Sequence, residues 1–291
     1  MKVKFITAIY SYLNNTEFGG RQNRAGHYRW SLISLLRMTN ADFTCYTSFD
    51  EFEELKNFFY NQNNISEKQL TIVPFDLTKT KHFDLIDKIK NVETVKTSDR
   101  CFEIQYNKFF WMLNEDMSYD YYYWIDAGLS HCGLLPDKYL VHNDEYQGYY
   151  NSYFFDNSFL DNLINKTNDK LIIIGKDNVR NYWSGTVPSS FYEKYDNSIH
   201  VIGGMFGGKT ENIKKLIEIF ENNLLKIIHE TQNLWFEEQI LSLIYQNHKE
   251  IFKMFYFETW WHETNGPQGL SPDYFQINKS FYKVLEEIKY E

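Results

Sequence analysis

The sequence predicts an α/β fold in which a mixed, largely parallel sheet is flanked by helices in a single domain, and three observations predict it. Short apolar runs alternate with segments of helical periodicity through the first half of the chain, the pattern of βαβ units. Residues 121–125, Tyr-Tyr-Tyr-Trp-Ile, are aromatic or apolar throughout, as in a strand buried on both faces. That run stops at Asp126-Ala127-Gly128, and an acid at the carboxyl end of a buried strand stands where open α/β sheets bind their ligands. The alternative for Asp126 is an ordinary Asx-turn closing a strand.

In chain order, residues 2–10 alternate around Val3, Phe5 and Ile9 and read as a first strand. A polar loop ending at Gly19-Gly20 follows, then a helix to about Met38 with Tyr28, Leu32, Leu35 and Leu36 on one face. Residues 43–48 form a second strand, residues 50–60 an acidic helix and residues 70–75 a third strand. Residues 101–117 carry Phe102, Tyr106, Phe109, Phe110 and Leu113 at helical spacing and deliver the chain into the 121–125 strand. Order then weakens: residues 136–168 and 182–198 are rich in loop-forming residues and flank a short apolar run at 171–174. Residues 199–205 read as a strand running into Phe206-Gly207-Gly208, residues 211–229 and 234–245 as helices, and residues 251–257 as a last strand before Glu258-Thr259-Trp260-Trp261-His262-Glu263. Most of the many aromatics are expected in the core.

Composition narrows the partners. Aromatics make up 19% of the 291 residues, so apolar surface is plentiful and disorder is not expected. The net charge is −9, with Lys and Arg scattered, which argues against a nucleic-acid binder and against an electrostatic membrane anchor. The three cysteines, Cys45, Cys101 and Cys132, are far apart and without a CxxC pair, as in reduced cytoplasmic proteins. No window has the length of an integral membrane segment and the start lacks the marks of a signal peptide, so the expected compartment is the cytoplasm.

Three groups of residues carry chemistry. Arg21 and Arg24, with His27 and Arg29 close behind, sit beside the first strand's exit, where cations can hold phosphate or simply face solvent. Residues 203–210, Gly-Gly-Met-Phe-Gly-Gly-Lys-Thr, match the P-loop pattern letter for letter between a strand and a helix. A P-loop normally opens its sheet, whereas here one strand remains after it. Glycines on both sides of Met205-Phe206 equally suit backbone lining a pocket, with a bend at each side. Finally Asp126, Glu237 or Glu238, and His262 each fall at a strand end or helix start. A carboxylate and an imidazole suit a divalent cation such as manganese, with diphosphate oxygens completing its shell.

The order of these segments, with Trp124-Ile125-Asp126-Ala127-Gly128 and Gly203–Gly208 as its specific parts, resembles GT-A glycosyltransferases, and within them the bacterial HtrL/YibB-like group. The resemblance implies a GT-A-like fold whose 1–128 half binds the nucleotide and whose 129–291 half binds sugar and acceptor. It implies a nucleotide-sugar donor, a UDP-sugar in the first instance, and a glycan, glycolipid or protein acceptor, in the setting of polysaccharide biosynthesis. Carried onto this chain, Asp126 matches one acid of the family's D-x-D motif and Gly128 stands in place of the other, which leaves dependence on Mn2+ or Mg2+ open. His262 matches the second metal ligand. The first strand, around Thr7 to Tyr10, would meet the base, and Arg21 and Arg24 could serve the diphosphate if no metal does. Gly203, Gly204, Met205, Phe206, Gly207 and Gly208, with Trp261, would line the sugar and acceptor site. Glu237 or Glu238 would stand near the reacting carbon as base or nucleophile.

Overall fold

The computed structural model describes residues 1–10, 24–90, 101–127, 140–143, 148–151, 158–177 and 199–257. Its frame is a seven-stranded sheet sandwiched between two helical layers, and six of the seven strands run in one direction. The strands are β1 (Val3–Ile9), β2 (Asp42–Thr47), β3 (Leu70–Pro74), β4 (Tyr121–Ile125), β7 (Leu171–Asp177), β8 (Ile199–Lys209) and β9 (Phe252–Phe257), in the order β3-β2-β1-β4-β8-β7-β9. Only β8 is antiparallel to its neighbours, β4 and β7. The carboxyl ends of the other six strands therefore share one edge of the sheet, where ligands bind in folds of this class.

Alternation along the strands divides the core into two layers. Tyr121, Tyr123 and Ile125 of β4 face α1 (Arg24–Met38), α2 (Phe49–Lys56) and α5 (Ser158–Thr167), joined by Phe5, Phe43 and Ile172. Tyr122 and Trp124 face the other way. They meet α3 (Phe83–Lys90), α4 (Cys101–Asn114), α6 (Thr210–Thr231) and α7 (Glu237–Asn247). Aromatic stacking binds sheet to helices on both sides: Phe5 on Phe43 at 5.0 Å, and Phe109 between Phe206 at 4.8 Å and Phe220 at 3.6 Å.

Several expectations need amendment. The acidic helix after β2 ends at Lys56 and continues as a π-helical turn, Asn57–Gln62. Within 136–168 the described residues form β5 (Leu140–Asn143), paired antiparallel with β6 (Gly148–Asn151), and α5, elements that the sequence reading did not place. The run at 171–174 is a full strand, and α3 has no counterpart in the sequence reading. Leu113, expected on the inner face of α4, is 41% exposed, because the helix turns Trp111 and Met112 inward instead.

The P-loop reading fails on geometry. Residues 203–209 are extended strand within β8, paired with β4 from Ile125–Met205 to Tyr121–Lys209, with no phosphate-cradling loop. Lys209 lies four residues down the ladder from Met205, about 13 Å from the ligand edge at strand rise. There it pairs with Asp169, while Thr210 donates its hydroxyl to the Tyr119 carbonyl. The glycines flanking Met205-Phe206 are likewise strand, and Phe206, Gly207 and Gly208 are buried. These three run away from the edge, so they cannot line a site there.

Among the described residues no helix is long and apolar enough to cross a membrane. Cys45 is a buried free thiol whose pKa is raised by burial.

Candidate active site

The site forms where β4 ends, β8 breaks from its neighbour and α7 begins. Between β7 and β8 the register shifts: Ile173 pairs with Phe206 but Ile174 pairs with Ile202. Gly203, Gly204 and Met205 are thus bulged off β7, although Met205 still pairs with Ile125 of β4. The two glycines serve this departure, since a Cβ on Gly203 would lie 2.6 Å from Glu237 Oε1.

Asp126 follows from the same alternation that orients β4. Trp124 faces α4, and Asp126, two residues on, faces the same way. Its N–H extends the ladder by donating to the Gly204 carbonyl at 2.8 Å. Its Oδ1 accepts the Trp124 indole N–H at 2.7 Å and is met by the Lys108 ammonium at 3.1 Å. Oδ2 has no bonding partner among the described residues, and the side chain is 41% exposed.

Lys108 projects from the middle of α4 into this junction with only 9% of its side chain exposed. Besides Asp126 it reaches Glu237 Oε1 at 2.7 Å and the Gly203 carbonyl at 3.1 Å, and it sits 5.5 Å from the centroid of the Trp124 ring. Burial alone would lower its pKa, but Asp126 and then Glu237 outweigh that and push it upward, so Lys108 is a permanent cation.

The two acids of α7 have different surroundings. Glu237 is buried, and burial raises its pKa against the opposing pull of Lys108, with Glu238 and Asp126 pushing it further up. Glu238 is half-buried and accepts the Gly203 N–H at 2.9 Å. Both lie in the first turn of the helix, where the positive end of the helix dipole favours negative charge. The turn is held from both sides. Gln239 reaches back to the Phe236 N–H at 3.0 Å, and Ser242 ties α7 to β8 by accepting the Val201 N–H at 2.9 Å.

Of the residues singled out in the sequence, the structure brings together Asp126, Gly203, Gly204, Glu237 and Glu238. Met205 borders them but points into the core below α1 and α2. Thr7, within β1, and Tyr10, just beyond its end, are 0% and 4% exposed. Tyr10 stacks on Trp111 at 5.9 Å and donates its hydroxyl to the Phe75 carbonyl at 3.0 Å. Arg24 opens α1. Arg21, Gly128, Trp261 and His262 lie outside the described residues, as does the loop at 182–198.

Sequence reasoning missed Lys108. The signal was present: Lys108 lies within Tyr106-Asn107-Lys108-Phe109-Phe110-Trp111-Met112, and all seven residues are buried. A lysine in a helix buried on every side requires a carboxylate partner.

As a cation site the described residues offer a partial donor set. No group of three or more His, Cys, Asp or Glu among them is placed to hold a metal ion. Oδ2 of Asp126 is a hard oxygen donor suited to Mg2+ or Mn2+, and the cluster's three carboxylates outnumber its one ammonium. A cation there would need further ligands from outside this group.

No family model matches the sequence, and no curated protein matches it. Among solved structures it is similar to mouse xyloside xylosyltransferase 1 in its apo form, with a TM-score of 0.52 and 10% identity over 88% of this chain and 85% of that one. It also aligns with 4-diphosphocytidyl-2C-methyl-D-erythritol synthase from Anaerococcus prevotii, at a TM-score of 0.41 and 9% identity over 97% and 96% of the two chains. The first likeness shows the fold: mixed α/β, GT-A-like, with a mostly parallel seven-stranded sheet between helices. It stops short of the HtrL/YibB-like group.

Proposed function

We propose that this protein is a glycosyltransferase of the HtrL/YibB-like group, moving a sugar from a nucleotide-sugar donor, a UDP-sugar in the first instance, to a glycan, glycolipid or protein acceptor. One observation carries the reading. On a GT-A-like sheet, a half-exposed carboxylate (Asp126) and a half-buried one (Glu238) converge on the same glycine bulge at the edge where six strands end.

Glycosyl transfer builds positive charge at the anomeric carbon and negative charge on the departing diphosphate. Asp126 would face the diphosphate, and a divalent cation held by Asp126 and His262 would supply charge stabilisation there. The geometry favours Glu238 over Glu237 for the chemistry. Glu237 is buried and spends Oε1 on Lys108, whereas Glu238 lies at the rim of the bulge. In an inverting reaction Glu238 would take the acceptor hydroxyl proton, and in a retaining one it would stand beneath the sugar.

A thermal-shift panel tests the reading, with UDP, GDP, UDP-glucose, UDP-galactose and ATP, each with manganese, with magnesium and with chelator. A ligand that binds only the folded state raises Tm according to its concentration over Kd. Stabilisation by UDP or a UDP-sugar that is lost in Asp126→Ala supports it. Stabilisation by ATP alone refutes it, and UDP-sugar binding without turnover makes the protein a binding module on the same scaffold.

A further inference from the structure

We propose that Lys108 is the positioning residue of this site: it fixes the Asp126 carboxylate so that Oδ2 alone is presented to the incoming ligand. The role rests on the reading of Asp126 as a donor-binding group.

An ammonium has three N–H donors and no acceptor. Lys108 donates two of them, to the Gly203 carbonyl in the β8 bulge and to Glu237 Oε1 in the first turn of α7, and its charge lies in ion-pair contact, 3.1 Å, with Asp126 Oδ1 at the end of β4. With its side chain almost wholly covered and its charge shared among two carboxylates and a carbonyl, Lys108 is withdrawn from an incoming phosphate or sugar hydroxyl. It acts through its partners.

Asp126 is the partner that needs holding. It lies beyond the last residue of β4, its side chain is 41% exposed, and the final torsion of an aspartate is soft. Oδ1 accepts the Trp124 indole N–H and is drawn to the Lys108 ammonium by charge, and together the two hold the carboxylate in place. The lysine is anchored in turn. It leaves a helix whose next turn carries Trp111, stacked 6.1 Å from Trp124 and 4.8 Å from Tyr46. A support locked by packing is what holds a binding group within a fraction of an ångström of its working position.

A test must separate this role from simple support of the fold. Lys108→Met alone would strand Glu237 as a buried unpaired carboxylate, so the comparison is between Glu237→Gln and the pair Glu237→Gln, Lys108→Met. Two quantities are measured on the full-length protein. One is hydrogen exchange of the Trp124 indole N–H, its signal assigned by its loss in Trp124→Phe. The other is the Kd for UDP with manganese, by calorimetry. Adding Lys108→Met is expected to speed indole exchange at least tenfold and to weaken UDP binding at least tenfold. In an Asp126→Asn background the same addition is expected to change UDP affinity less than twofold, because the lysine works through that carboxylate. Unchanged indole exchange overturns the proposal. So does an equal loss of affinity in the Asp126→Asn background, which would mean direct contact with the ligand. If the unmodified protein binds no UDP, the donor reading fails, and indole exchange alone then decides whether Lys108 holds Asp126.

Discussion

Removing the Lys108 charge should cost far more than an average substitution, and the structure says how much and at which pH. In Lys108→Met, Glu237 Oε1 and the Gly203 carbonyl lose partners at 2.7 and 3.1 Å, and Glu237 keeps only 6% of its side-chain surface to recover water. Breaking a buried pair from one side costs about 3–5 kcal/mol. Asp126 adds little, being partly solvated. At about 1.6 °C per kcal/mol for a chain of 291 residues, Tm should fall by roughly 5–8 °C. The loss should also depend on pH. Burial already raises the Glu237 pKa, and without Lys108 it rises further, so protonation relieves the stranded charge at low pH. Urea unfolding at pH 5 and pH 8 should therefore show the smaller loss at pH 5. A second substitution, Glu237→Gln, should restore at least ~2 kcal/mol at pH 8 by removing that charge. A loss below ~1 kcal/mol at pH 8, with no difference at pH 5, would place Lys108 among exposed ion pairs and refute the reasoning.

Other substitutions probe neighbouring claims. Because the folded-state pKa of Glu237 is raised, its contribution to stability is present below the unfolded value near 4.5 and is lost as pH rises through the folded value. Glu237→Gln should flatten that decline in urea titrations from pH 4.5 to 8, and an unchanged slope would contradict it. Gly207→Ala puts a Cβ 2.4 Å from the Tyr122 carbonyl oxygen, an obstacle of backbone that cannot swing aside. It should lose ~2 kcal/mol or more in the same assay. Lys209→Ala should leave the UDP thermal shift unchanged and confer no loss of ATP binding, since Lys209 is paired with Asp169 away from the ligand edge.

What was legible in the sequence is what local pattern carries. β4 could be read to the residue, because an unbroken run of large apolar side chains has only one comfortable place, a strand covered on both faces. Asp126 stood out for the same reason, as the first polar residue after it. Residues 203–210 read two ways, because their glycines, lysine and threonine spell a phosphate loop as well as backbone lining a pocket, while the strand that holds 203–209 is set by partners far away in the chain. Trp124, Tyr123 and Tyr122 pair with Phe206, Gly207 and Gly208, and no window of sequence contains that fact. Lys108 was missed for a related reason. Its partners lie 95 and 129 residues away, at Gly203 and Glu237, and a reading by helical face counts a lysine as solvent-facing unless every neighbour is buried. The two acids of α7 looked interchangeable until the bulge separated them, Glu237 below it against Lys108 and Glu238 at its rim.

The most direct test of the account is turnover. Release of free UDP from UDP-glucose and UDP-galactose would be followed by mass spectrometry with manganese, in the unmodified protein, Asp126→Asn and Glu238→Gln. The account predicts UDP release by the unmodified protein, a large loss in Asp126→Asn through weakened donor binding, and a loss in Glu238→Gln with UDP affinity retained. Donor hydrolysis that persists undiminished in both variants would contradict it, because the chemistry would then lie somewhere other than the junction of β4, β8 and α7.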